Sequence, residues 1–171
     1  YRKTGNELRK KLLKNITMQS DRGRVPVIID LSPCTQYILA GDTTSLQILD
    51  SITFMNQIKA DLQLSPIPAA VFTHTVCSSQ KMGNGHHLIE LAKACAGSVE
   101  TSMEGFCCGM AGDRGLRVPE LPRHAVETST NPGAELGVSS SRTCEMGLKE
   151  YTGLEFISME ELVMRSIVNS T

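Results

Sequence analysis

The chain has 171 residues, of which 40% are hydrophobic and 20% are charged, and its formal net charge is -1. This size and composition are typical of one globular domain, or a slightly extended one, with enough apolar residues to bury a core. The small net charge gives no electrostatic reason to expect binding to nucleic acid or to an anionic membrane surface. No apolar run approaches the roughly 20 residues that a helix needs to cross a bilayer.

The N-terminal segment predicts a basic amphipathic helix from Arg2 to about Gln19, with Leu8, Leu12 and Ile16 at four-residue spacing on one face. The chain begins at Tyr1 without a methionine or a signal-peptide pattern, which we interpret as a cut inside a longer protein. We therefore expect a missing N-terminal portion to carry part of the function.

Beyond this helix the pattern alternates short buried strands with helices. We predict strands at 25–31, 45–49, 68–73, 98–102, 135–138 and 154–157. We predict helices at 51–62, 83–96, 119–128 and 142–151, and a last helix that follows Ser158. Ser51 and Ser158 are predicted to cap the helices that they precede. Strands that alternate with helices predict a three-layer α/β fold, with a mostly parallel sheet and helices on both of its faces.

A weak internal repeat relates the two ends of the chain. In each copy a strand is followed by a cysteine, a helix, a short strand and a second helix; the first copy contains Cys34 and the second Cys144. We interpret residues 1–63 as the second half of a truncated first cysteine-rich module. Residues 64–171 are then a complete second module.

The cysteines are the most informative residues of the chain. Cys34, Cys77, the adjacent pair Cys107-Cys108, and Cys144 each follow the C-terminal end of a predicted strand. Ligands of open α/β sheets bind at that edge. Vicinal cysteines suit a polynuclear metal centre, because neighbouring thiolates can reach different metal ions. The sequence therefore predicts these five cysteines as metal ligands, with glycine N–H groups of the same loop directed at the sulfurs.

Two alternatives to an iron–sulfur centre stay open. A structural zinc site usually draws its four ligands as pairs separated by two to four residues, and the chain has no such pair. This spacing favours iron–sulfur ligation without excluding zinc. The other alternative is a set of buried core thiols, to which we assign Cys95, because it follows Leu88, Leu91 and Ala92 at helical spacing.

The order and spacing of Cys77, Cys107-Cys108-Gly109 and Cys144 resemble the cysteine-rich CCG domain. That domain occurs in a subunit of heterodisulfide reductases, in glycolate oxidase iron–sulfur subunits and in related proteins. The segments 72–83, 107–115 and 139–145 are similar to the C-terminal part of FAD-dependent, iron–sulfur-containing D-lactate dehydrogenases. The resemblance covers nearly the whole chain.

The resemblance implies an oxidoreductase whose missing N-terminal portion binds FAD and oxidises a D-2-hydroxy acid such as D-lactate. It further implies ferredoxin-like domains in the same polypeptide, a 4Fe–4S type cluster in this chain, and an acceptor such as a quinone or a cytochrome. The isolated fragment is expected to be inactive, because it has no flavin site. We expect a cytoplasmic protein, or one held peripherally at a membrane. A separate glycolate-oxidase-type iron–sulfur subunit and a docking domain with empty or zinc-bound cysteines are the alternatives.

Position by position, the resemblance matches five thiols to cluster ligands: Cys77, Cys107, Cys108 and Cys144 of the complete module, and Cys34 as the last cysteine of the preceding one. The full motif ends in Cys-x-x-Cys, but here Cys144 is followed by Glu145-Met146-Gly147. The complete module therefore keeps four thiolates, which suffice for an ordinary cluster.

Three further residues are predicted to bind a substrate or to tune the potential of the centre. Arg114 and Arg142 carry guanidinium groups that match a carboxylate. His74 precedes Cys77 by three residues and is interpreted as a ligand or a proton relay, or as a strand-end histidine bound by backbone. An ion pair between Asp113 and an arginine is the alternative for the charged residues. The sequence contains no nucleophilic Ser/His/Asp set, no complete dinucleotide fingerprint and no phosphate-binding loop, so no catalytic residue is assigned.

Overall fold

The computed structural model describes residues 2–30, 32–103, 105–127 and 133–168. The strands are β1 (Val27–Ile29), β2 (Ile48–Asp50), β3 (Ile67–His74), β4 (Ala96–Thr101), β5 (Leu136–Ser139) and β6 (Phe156–Ser158). The helices are α1 (Arg2–Gln19), α2 (Ser32–Leu39), α3 (Ser51–Ile58), α4 (Cys77–Met82), α5 (Gly85–Cys95), α6 (Arg114–Arg117), α7 (Glu120–Glu127), α8 (Arg142–Thr152) and α9 (Met159–Ser166). Among these helices none is both long and apolar enough to cross a membrane.

The described strands form two parallel sheets. β1 pairs with β2 in a sheet of its own, and the other four strands form a sheet in the order β4-β3-β5-β6. All of these pairings are parallel, so the predicted α/β fold class is confirmed. The chain passes from β3 to β4 on one side and then returns to β5 on the other side of β3. Open sheets bind ligands at the carboxyl ends of the strands where the order reverses in this way.

Helices cover both faces of the four-stranded sheet and give the fold its three layers. On one face, α3, α5 and α9 pack on side chains such as Val71 and Val138. On the other face, α7 and α8 pack on Phe72 and Phe156, together with the loop that carries Cys108. Successive residues of a strand point to opposite faces, and this is why the neighbours Val71 and Phe72 belong to different clusters.

The hydrophobic cluster that contains Val71 also contains Leu91, and Leu91 provides a test of the core. Leu91 of α5 is fully buried, and truncating it leaves a cavity that a closely packed interior fills only in part. We expect Leu91→Ala to lower the free energy of unfolding by about 2–5 kcal/mol in urea titrations followed by circular dichroism. Leu116→Ala is the matched control, because Leu116 is 62% exposed. Equal losses in the two variants would contradict the assignment of Leu91 to the core.

One of the two predicted helix caps is wrong. The side chain of Asp50, not Ser51, caps α3 by accepting a hydrogen bond from the Thr53 N–H at 2.6 Å. Ser51 is the first residue of the helix, and its Oγ donates to Glu160 Oε1 at 2.7 Å instead. A carboxylate competes better for the free N–H groups at the positive end of the helix. Ser158 caps α9 as predicted.

The helix predicted over 83–96 is α5 (Gly85–Cys95), and a separate short helix, α4, precedes it. Gly83 ends α4 in the left-handed region, with a φ of 75°. Glycine adopts this conformation without the steric cost that a side chain would add. A new helix begins at Gly85, so the break places Cys77 at the start of a short helix of its own.

The same order of elements occurs at both ends of the chain, as β1–α2–β2–α3 and as β5–α8–β6–α9. Cys34 and Cys144 each occupy the third position of the first helix in their copy. In both copies the last paired residues of the two strands include the residue that caps the following helix, Asp50 or Ser158. The division into a truncated and a complete module stays a prediction.

Candidate metal centre

Four cysteine sulfurs meet where β3, β4 and β5 end. Cys77 begins α4 after β3, Cys107 and Cys108 lie in the loop after β4, and Cys144 lies in the first turn of α8 after β5. The sulfurs of Cys77 and Cys107 are 3.7 Å apart, and those of Cys108 and Cys144 are 2.9 Å apart. The fold therefore brings together four of the five cysteines that the sequence singles out.

Cys34 occupies a different position. It is exposed on α2, after a strand of the other sheet. A cleft of about 350 Å³ opens beside the four sulfurs. Its lining comprises Pro33, Gln36, Val76, Cys77, Ser78, Lys81, Cys107, Cys108, Ala111, Gly112, Ser141, Thr143 and Cys144. Pro33 and Gln36 of α2 thus line the cleft, whereas Cys34 of the same helix does not. A ligand role for Cys34 stays a prediction.

Glycines shape the loop that carries the vicinal cysteines. Gly109 has a φ of 73°, and a Cβ added to it would lie 2.5 Å from Pro122 Cα. The loop therefore approaches the start of α7 more closely than any residue with a side chain would allow. In this conformation the Gly109 N–H donates to Cys107 Sγ at 3.4 Å, and such bonds to sulfur tune the potential of an iron–sulfur centre.

The buried Cys108 and the half-buried Cys144 change each other's pKa. The hydrogen bond between the two sulfurs lowers the pKa of Cys108 to about 7, although burial acts in the opposite direction. The same hydrogen bond, together with burial, raises the pKa of Cys144. Burial, followed by the nearby Cys107, raises the pKa of Cys77. Because a thiolate is the form that binds a metal ion, metal binding must displace protons from Cys77 and Cys144.

His74 lies beneath the sulfurs at the end of β3 and is fully buried. Its Nδ1 lies 3.1 Å from Ser139 Oγ, and its ring packs edge-on against Phe106 with centroids 5.4 Å apart. A ring nitrogen of His74 and the sulfurs of Cys108 and Cys144 all lie within 4.8 Å of one another. Burial lowers the pKa of His74 to about 4, so the imidazole is neutral near pH 7.

Two buried polar atoms at this site have no hydrogen-bond partner within the described part of the chain: His74 Nε2 and Ser78 Oγ. Buried polar groups are nearly always satisfied, and an exception often marks an ion or a water molecule. Ser78 also lines the cleft beside Cys77. Sequence reasoning did not single out Ser78 or Ser139. The one available signal was that Ser139, like His74, directly follows a predicted strand.

The donor set fits a thiolate-bound metal centre. Thiolate and imidazole are ligands of zinc and of iron–sulfur clusters. Two thiolates on one tetrahedral ion lie about 3.7 Å apart when each metal–sulfur bond is about 2.3 Å, and the sulfurs of Cys77 and Cys107 have this separation of 3.7 Å. Among the described lining residues Lys81 carries the one ammonium or guanidinium group and no carboxylate is present, which suits a centre with negative thiolate ligands.

The two predicted arginines lie outside this lining. Arg142 Nη1 donates to Glu145 Oε2 at 2.9 Å, and the Glu145 carboxylate is buried whereas the Arg142 side chain is 76% exposed. Arg114 is exposed at the start of α6. The Asp113 carboxylate pairs with Arg117 at 2.9 Å, so the ion pair of Asp113 with an arginine is present, and its partner is neither Arg114 nor Arg142. Substrate binding or potential tuning by Arg114 and Arg142 stays a prediction.

Gly147 stands where the full motif has its last cysteine. A Cβ added to Gly147 would lie 2.5 Å from Met110 Cγ and 2.6 Å from Met110 Sδ. Met110 is itself buried, with 2% of its surface exposed. The side chain of Met110 therefore fills the space that a cysteine at position 147 would need.

This packing predicts the outcome of restoring the motif. We expect Gly147→Cys to lower the free energy of unfolding by about 1–3 kcal/mol, because a side chain there overpacks the buried Met110. In a Met110→Ala background the same Gly147→Cys substitution should cost much less than it does in the native chain, since the smaller side chain makes room; Met110→Ala alone is the reference, because truncating this buried side chain lowers stability by itself. Urea unfolding under reducing conditions measures both, with the exposed Met146→Cys as the control. A destabilisation that Met110→Ala does not relieve would contradict this account.

No family model matches the chain. One subunit of the anaerobic glycerol-3-phosphate dehydrogenase of Escherichia coli strain K12 is 31% identical over 102 residues, which cover 54% of this chain and 25% of that protein. The protein of the same name from Escherichia coli O157:H7 matches with the same identity and coverage. The chain thus spans about a quarter of the length of the curated relatives that it matches. The detected similarity is to a subunit of a dehydrogenase.

Proposed function

We propose that this chain is the iron–sulfur electron-transfer domain of a larger FAD-linked oxidoreductase. The observation that carries the proposal is the convergence of the sulfurs of Cys77, Cys107, Cys108 and Cys144 at the ends of three adjacent parallel strands. The similarity to a dehydrogenase subunit supports a role in oxidation and reduction. The unpartnered polar atoms beneath the sulfurs support a metal centre over a set of core thiols.

The four cysteines would hold the cluster, which supplies one-electron oxidation and reduction when it is bound. The site has one side that is buried in the protein and one side that is exposed to solvent. Cys108 and the residues below it are buried, which limits the access of water, whereas Cys77 and Cys107 are exposed. The exposed pair gives a redox partner its shortest approach to the centre. Lys81 beside the cleft offers that partner a positive charge.

We further propose that the whole protein oxidises a D-2-hydroxy acid, with D-lactate as the leading candidate. It would do so through FAD and ferredoxin-like domains outside this chain. Electrons would then pass through the centre to a quinone or a cytochrome. The test uses the native full-length protein, purified without oxygen and assayed for flavin and iron. D-Lactate should bleach the flavin and produce the electron paramagnetic resonance signal of the reduced centre, whereas L-lactate should not. Reduction by glycerol 3-phosphate and not by D-lactate would contradict the proposed substrate.

One observation favours a second function, a docking domain that holds zinc. His74, Cys108 and Cys144 alone place three ligand atoms within 4.8 Å of one another, and thiolate and imidazole are the usual ligands of a mononuclear zinc ion. Metal analysis of the native protein separates the two functions. About one zinc per chain without iron would favour docking, and iron with inorganic sulfide would favour electron transfer.

A further inference from the structure

We propose that His74 is itself a ligand of the metal centre, through Nε2, and that it supplies a donor from β3 where the motif lacks its last cysteine. The proposal rests on the proposed function only for the identity of the metal, because the histidine and the thiols form a donor set for any thiophilic ion. It is carried by the position, the orientation and the surroundings of the imidazole.

The position of His74 is that of a ligand and not of a surface histidine. The side chain is fully buried, and one ring nitrogen lies within 4.8 Å of the sulfurs of Cys108 and Cys144. Within the described residues Nε2 has no hydrogen-bond partner. A buried nitrogen without a partner loses its solvation and gains nothing in return. A metal ion between His74 and the two sulfurs would supply the missing interaction.

The second ring nitrogen sets the orientation and the tautomer. Nδ1 lies 3.1 Å from Ser139 Oγ, because His74 and Ser139 are paired residues of the adjacent strands β3 and β5. If Nδ1–H donates to the serine oxygen, the lone pair remains on Nε2, the nitrogen without a hydrogen-bond partner. Metal-binding histidines are held in this way, since their other ring N–H donates to an oxygen of the protein. Ser139 is therefore assigned as the residue that positions His74.

The surroundings show why the donor comes from β3 and not from α8. Met110 occupies the space beside Gly147, so position 147 of α8, where the full motif has its last cysteine, offers no ligand atom towards the centre. His74 lies on the adjacent strand, close to the sulfurs of Cys108 and Cys144. A neutral imidazole in place of the fifth thiolate of the full motif makes the centre less negative, and histidine ligation raises the reduction potential of an iron–sulfur cluster.

The first test is spectroscopic and needs no loss of activity. The protein is labelled with ¹⁵N-histidine, reconstituted with iron and sulfide without oxygen, reduced, and examined by pulsed electron paramagnetic resonance. We expect a strong coupling to a histidine nitrogen that changes with the isotope. In His74→Cys the coupling should vanish, the iron content should be retained, and the midpoint potential should fall. In the control His86→Ala, which changes an exposed histidine, the coupling should persist. An iron centre without nitrogen coupling, or with coupling unchanged in His74→Cys, would overturn the proposal.

A second test separates this proposal from the proposed function. Cobalt(II) is titrated into the iron-free protein, where thiolate and imidazole ligands give intense visible absorption bands. We expect His74→Ala to weaken cobalt binding about tenfold or more, since even the loss of a residue that positions a ligand costs about 10–100-fold. Cobalt binding that is equally tight in His74→Ala would overturn the role of His74. A chain that takes up no iron but binds cobalt through His74 would overturn the electron-transfer function and leave the ligand assignment intact.

Discussion

Replacing Cys108 with serine should abolish the metal centre while the fold persists. Cys108 is the most central of the four thiols, because its sulfur lies 2.9 Å from that of Cys144 and it adjoins Cys107 in the chain. It is also 3% exposed, so no external donor reaches its position. An alcohol does not ionise near neutral pH and is a weak ligand for iron or zinc. We expect iron and sulfide content after anaerobic reconstitution to fall about tenfold or more, a loss at least as large as that caused by removing a supporting residue.

The matched control for this variant is Cys95→Ala. Cys95 is also buried, but it packs in the cluster between the sheet and α5, on the opposite face from Cys108. Its removal should lower stability through the lost packing and should leave the iron content unchanged. Circular dichroism establishes that both variants are folded before iron is measured. A Cys108→Ser variant with the full cluster signal would contradict the ligand assignment.

Substituting Gly109 with alanine should destabilise the fold and prevent the uptake of iron. Gly109 has a φ of 73°, and its new Cβ would lie 2.5 Å from Pro122 Cα and 2.7 Å from Leu121 O. Because these are backbone atoms of α7, the collision cannot be relieved by the rotation of a side chain. The left-handed backbone adds about 1–2 kcal/mol for any residue with a Cβ. We expect a loss of about 2–4 kcal/mol in the free energy of unfolding, together with loss of iron uptake.

Gly112→Ala separates the backbone conformation from the close packing. Gly112 lies in the same loop with a φ of 74°, but an added Cβ would meet no atom within 4 Å. It should therefore cost only the conformational term of about 1–2 kcal/mol, and the iron content should be retained. Urea unfolding and iron analysis of the two variants measure the difference. Equal effects would show that packing against α7 does not hold the cysteine loop in place.

The sequence predicted the alternation of strands and helices because each buried strand is a short apolar run between turn residues. It also placed Cys77, Cys107-Cys108 and Cys144 at strand ends, and parallel strands end at one edge of a sheet. The division of the strands into two sheets was not predictable in this way. Strand pairing is decided by contacts between residues far apart in the chain, and no local pattern encodes it.

The details that sequence reasoning missed depend on tertiary packing or on competition between neighbours. Asp50 caps α3 where Ser51 was predicted, and both residues are good caps, so composition alone did not decide between them. Met110 fills the space beside Gly147, but in the sequence it is one apolar residue among several. His74 was noted as a residue of interest, yet its unpartnered Nε2 becomes visible only when β3 and β5 are placed side by side.

If the four converging cysteines hold an iron–sulfur cluster, anaerobic reconstitution of the protein with iron and sulfide should assemble it. The purified protein is reduced and incubated with ferrous iron and sulfide in the absence of oxygen. Iron, sulfide and the electron paramagnetic resonance spectrum of the reduced sample are then determined. For a 4Fe–4S centre we expect about four irons and about four sulfides per chain and a signal from a one-electron-reduced cluster. A well-folded protein that takes up no iron would contradict the account.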